Sequence, residues 1–174
     1  MLKITKLDSA RRHLAVAIKL FFEGGDPVVI HTLAAAAQGV IRDIASNANL
    51  AHTSILHDHP NIPQPIRRTW INLLNTPRNF FKHADIDPHA VLDFDESSNI
   101  ILILDAVIIL SEIDDHPPIE AKVYVGWFTT ANPVLQNAIA NNTIGDYAVR
   151  NNIKSTDFKA FRELCNSFIL IDSL

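Results

Sequence analysis

Glycine, cysteine and aromatic residues are scarce in this chain, and each scarcity removes a class of protein. Five glycines in 174 residues are too few for the many tight turns of an all-β fold. Cys165 is the only cysteine. No internal disulfide can form, so a reducing compartment, the cytoplasm, is expected. The longest apolar run, IILILDAVIIL over residues 100–110, is too short to span a bilayer. Asp105 interrupts it, and no membrane partner is expected. The opening MLKITKLDSARRHL has no apolar signal core followed by a small-residue cleavage site. There is no glycine-rich phosphate loop and no HExxH helix, and no cofactor is expected. A formal net charge of −4 argues against a broad nucleic-acid-coating surface but leaves room for a local basic site.

What is present is a globular, helix-forming chain. Hydrophobic residues make up 48% and charged residues 20%, which suits one domain, residues 1–174, with a real core. Thr5 and Asp8 form a capping-box pattern ahead of Leu7, Leu14, Ile18 and Phe21 at helical spacing. Gly24-Gly25 ends that helix, and Asp26-Pro27 starts the next at once. So short a link predicts an antiparallel pair. The second helix runs to about Ala45 through the small-residue patch LAAAAQG. Residues 47–65 read as a loop. A third helix starts near Pro65, and Pro77 kinks it or restarts it with Thr76 as cap. Residues 100–113 are read as a buried helix capped by Ser97 or Ser98, with a β-hairpin through VLDFDESSNIILIL as the alternative. PPIEAKVYVGWFTTA gives another helix stopped near Pro133. A short helix over 134–141 follows, and a last one under Ser155 or Thr156. The expected fold is an all-α, up-and-down bundle of about five or six helices.

The chemistry concentrates in TPRNFFKHAD, residues 76–85. From Arg67 to His83 the ionic residues are all basic: Arg67, Arg68, Arg78 and Lys82. A histidine moves protons near neutral pH, and a guanidinium fits phosphate oxygens. Arg78 and His83 together suffice for metal-free RNA cleavage, in which the 2′-OH is the nucleophile. Five residues apart on a helix, the two are turned by about 140°, so a second copy of the chain is expected to complete the site. Asn79 and His83 share a face. The plainer reading is a basic helix end favoured by its dipole. Asp105 is a candidate to orient Arg78 or His83, and a structural ion pair with Arg11, Arg12 or Arg42 is the alternative. His31, beside the small-residue patch, could face the site or be a hydrogen-bonded core histidine. Phe80 and Phe81 could stack on bases, although core or dimer-seam packing is the commoner role. His52, His57, Asp58 and His59 are metal-binding types, but they lack a ligand spacing, and no metal site is assigned. Cys165 has no histidine near it in sequence and is not assigned as a nucleophile.

RNFFKHAD resembles the signature of the HEPN superfamily (higher eukaryotes and prokaryotes nucleotide-binding): arginine, a polar residue, three to five others, then histidine. Arg78, Asn79 and His83 occupy those places. The resemblance implies a small helical bundle that dimerises so that two motifs meet in a cleft. It also implies metal-independent endoribonuclease activity, often in toxins or antiviral effectors held by an antitoxin or other regulatory protein. On that basis Arg78, Asn79 and His83 are the expected catalytic set. Lys82, Arg67 and Arg68 are expected to bind RNA, with Asp105 and His31 behind them. A non-catalytic module holding a partner protein or a nucleotide is the alternative.

Overall fold

A computed structural model describes residues 1–50, 54–57, 59, 61–85, 87–138 and 142–167. These residues form an all-α bundle, as the sequence predicts: α1 (Lys6–Glu23), α2 (Pro27–Asn47), α3 (Gln64–Phe80), α4 (Ser98–Ile113), α5 (Ile119–Ala131), α6 (Thr143–Arg150) and α7 (Phe158–Asn166). A 3₁₀ helix, Pro133–Ala138, lies between α5 and α6, and no strand occurs among the described residues.

Local chemistry fixes the first two helices. The Thr5 hydroxyl accepts the Asp8 N–H at 3.0 Å, and the Asp8 carboxylate accepts the Thr5 N–H at 3.1 Å. Gly24 takes φ +68°, a conformation costly for any residue with a Cβ, and α1 stops there. Asp26 then caps α2 through the Val28 and Val29 N–H groups at 2.8 and 3.1 Å. α1 and α2 pack as a pair. α4 lies against α2 and also touches α1 and α5, α5 and α7 lie against α1, and α6 lies against α5. Leu14, Ile18, Ile41, Ile103, Ile109 and Leu110 meet at the centre. One end is aromatic: Phe21 packs on Trp127 at 4.9 Å, and Phe22 stacks on Phe161 at 5.7 Å. α2 is long and apolar enough to cross a membrane by length and composition, yet half of that stretch is buried inside the bundle.

Several sequence expectations change in detail. α3 runs through Pro77 without restarting, and Thr76 donates its hydroxyl to the Asn72 carbonyl at 2.9 Å. The N-cap serine of α4 makes no side-chain cap; Asp95 instead accepts the Ser97 N–H at 2.9 Å. No hairpin forms, because the residues that would supply its second strand coil into α4, where Asn99, Ile103 and Leu104 are buried. The helix expected over 134–141 is 3₁₀ as far as Ala138, and residues 139–141 lie outside the described residues. α7 is capped by Asp157, not Ser155 or Thr156. α6 was not anticipated. It is eight residues long, carries a glycine, and is held by Asn142, which accepts the Gly145 N–H and donates to the Thr129 hydroxyl at 2.7 Å.

Candidate functional site

α3 has no fully buried residue, and among the helices it packs mainly on α2. Its anchor is a turn at residues 54–57, and that turn hangs on one carboxylate. Asp105, in the middle of α4 and wholly buried, accepts from the Ser54 hydroxyl at 3.0 Å, the Gln38 amide at 2.8 Å and the Leu56 N–H at 3.2 Å. From the turn, the Leu56 carbonyl takes the Trp70 indole N–H at 2.6 Å, and the His57 carbonyl takes the Arg67 guanidinium at 2.7 Å. Asp105 is therefore solvated by neutral donors, the condition for burying a carboxylate. It does not bond Arg78 or His83. Arg11 pairs with Asp114 at 3.2 Å. Arg67, expected to bind substrate, fastens α3 to the turn.

Holding α3 at this distance opens a cavity of about 400 Å³ between α2, α3, α4 and residues 92–95. Leu56, Trp70, Leu73, Leu74, Ile101 and Leu102 give it apolar walls. Leu92 and Phe94 are half-buried and close one side, while Asp93 and Asp95 alternate with them and stay exposed at the rim. Gln38 and His57 add a polar floor.

Two of the expected residues line this space. Arg78 is half-buried, and its guanidinium lies against Gly39 of α2. A Cβ built on Gly39 would sit 2.7 Å from one guanidinium nitrogen and 3.2 Å from Cζ. The glycine that ends the small-residue patch thus provides a slot for an arginine. No ion pair or hydrogen bond joins Arg78 to another described side chain. Lys82 stands beside it. Partial burial, and then the Arg78 charge, pull the Lys82 ammonium below the ordinary lysine value.

His31 is the second. It is 4% exposed, and Nδ1 lies 2.9 Å from Oδ1 of Asn99, whose amide nitrogen is committed to the Pro27 carbonyl at 3.0 Å. Nδ1 is therefore the donor, and Nε2 carries the lone pair. That nitrogen is buried with no partner. Phe81 and Phe94 meet the ring edge-on at 5.6 and 5.1 Å. Burial holds the imidazole below its ordinary pKa, and the Asn99 bond offsets this only in part. Below about pH 6.5 an unfolded chain takes up a proton that the folded chain resists, so stability must fall as pH drops through that point and on through the folded value. Urea unfolding at about pH 8 and pH 5 should show a larger acid loss for the native chain than for His31→Gln. Equal losses would remove His31 from the acid response.

His57, weighed for metal binding, lies in the cavity floor, and the other expected site residues stay outside it. Asn79 and His83 are exposed, the latter in the turn after α3 with its N–H on the Asn79 carbonyl at 3.0 Å. Arg68 is exposed on α3. Phe81 packs within the aromatic group around His31. Among the described residues no three histidine, cysteine or acidic side chains converge as metal ligands; His52 and Asp58 lie outside the described residues. Cys165 is buried and its thiol is pushed up to about 12, first by burial and then by the Glu120 carboxylate, which leaves no thiolate for nucleophilic work. Sequence reasoning missed the cavity itself. Its two local signals were Gly39 and the alternation in VLDFD.

Comparison with family models, curated proteins and solved structures finds no match.

Proposed function

We propose that the chain is a binding module that holds a small, largely apolar molecule between α2, α3 and α4. One observation carries this reading: a cavity of about 400 Å³ with almost continuous apolar walls, within the usual range for small-molecule sites. Trp70 lines the cavity, so its fluorescence reports occupancy. Titration with decanol should give saturable quenching at one molecule per chain. Ala35→Leu, which adds carbons to a buried wall residue of α2, should weaken it at least about tenfold, since lost space expels the guest. Unsaturable quenching, or equal binding by a folded Ala35→Leu chain, would rule the reading out.

A second reading rests on a different observation. Asn79, Lys82 and His83 are exposed together at the end of α3, with Lys82 beside Arg78. This supports the HEPN-like expectation: a metal-independent endoribonuclease in which a homodimer brings His83 of one copy towards Arg78 of the other, under a regulatory protein or antitoxin. Purified protein in excess EDTA should then cut RNA to 2′,3′-cyclic phosphate ends, and His83→Ala should lower the rate by about 10²–10⁴. A folded dimer that leaves a broad RNA set intact would dismiss this reading. For either reading we assign the cytoplasm, supported by a single, buried cysteine.

A further inference from the structure

We infer that the guest is a monoanion, an apolar carboxylate whose head group is received by the Arg78 guanidinium. The inference rests on the cavity-binding reading and adds its chemical class. The cation is built in rather than incidental. Arg78 lies against the Cβ-less residue 39, where an added methyl would force the guanidinium to shift. It is half-buried, and no acid or carbonyl of another described residue satisfies it. A guanidinium in that state has five donors and an apolar wall beside it. The favourable guest supplies two acceptor oxygens at one end and hydrocarbon at the other, and a carboxylate matches the fork in bidentate fashion. Lys82, depressed by the same neighbourhood, adds positive potential without entering the cavity lining.

The rim sets the charge number. Asp93 and Asp95 are exposed at the mouth, and Asp95 already accepts the Ser97 N–H. Two carboxylates there repel a doubly charged head such as a phosphate monoester more than a single charge. Both are exposed, so they do not offer a cationic guest a buried partner. The aromatic wall and the neutral His31 contribute no further charge.

Calorimetric titration of the full chain with decanoate, decanol and decylamine tests this, because the three share one tail. Decanoate should bind at least about tenfold tighter than decanol, the gain of one charge-assisted pair, and decylamine should be weakest. In Arg78→Met the difference between acid and alcohol should vanish. Gly39→Ala keeps the arginine but puts a methyl within 2.7 Å of a guanidinium nitrogen, which must shift, and it should narrow the difference even if Arg78→Met fails to fold. Equal binding of acid and alcohol by the native chain would overturn the anion and leave the cavity reading intact. So would a preference unchanged in both variants. Binding of none of the three would overturn the cavity reading itself.

Discussion

Asp105→Ala should cost about 3–5 kcal/mol of folding free energy, because three buried donors lose their acceptor at once. Those donors are the Ser54 hydroxyl, the Gln38 amide and the Leu56 N–H. Two of them also approach His57 Nδ1, at 3.2 and 3.3 Å, so part of the loss is recovered there. The effect should also be local. The turn that Asp105 holds is what Trp70 and Arg67 grip, so amide exchange along α3 should accelerate more than exchange along α1 or α5. Asp105→Asn keeps one acceptor and should fall between alanine and the native residue. Chemical denaturation gives the first number and native-state hydrogen exchange gives the second. A cost under about 1 kcal/mol, the size of one ordinary hydrogen bond, with α3 protection unchanged, would mean that the turn is held by something else.

Phe22→Ala should cost as much, about 3–5 kcal/mol, with a different distribution. Phe22 is buried and lies within 6.2 Å, ring to ring, of Phe21, Tyr124, Trp127, Phe158 and Phe161. Its removal leaves a hole that three helices share, and a lowered melting temperature of roughly 10 °C is expected. No residue of α1, α5 or α7 lines the cavity, so probe binding by the folded fraction should match the native chain. The two variants together separate the stability of the bundle from the integrity of the site. A Phe22→Ala chain that keeps its stability but loses probe binding would contradict this division.

The sequence made the opening of the fold legible because its signals are local. Thr5 with Asp8, Gly24, and Asp26 with Pro27 each act within a few residues. α4 was harder, since an apolar run without periodicity suits a buried helix or a buried strand; the unbroken burial of Ile103 through Val107 explains the missing pattern. α6 escaped notice because eight residues with a glycine carry little signal, and its holding partner, Thr129, belongs to another helix. The site divides in the same way. Arg78 and His31 were singled out as candidates, and both line the cavity. Arg78, however, lies against Gly39, far away in the chain, a contact that no local pattern signals. Asp105 was recognised as a carboxylate that needs partners, but opposite charges were sought, whereas its actual partners are an amide, a hydroxyl and a backbone N–H.

α3 is tied to the bundle chiefly through one turn and buries no residue fully. A helix fastened in this way swings away at a free energy well below that of melting the core. A guest would then enter and leave past a hinged wall, and its residence time would follow the strength of the hinge. Strengthening the bonds around Asp105 would slow exchange without altering any atom the guest meets.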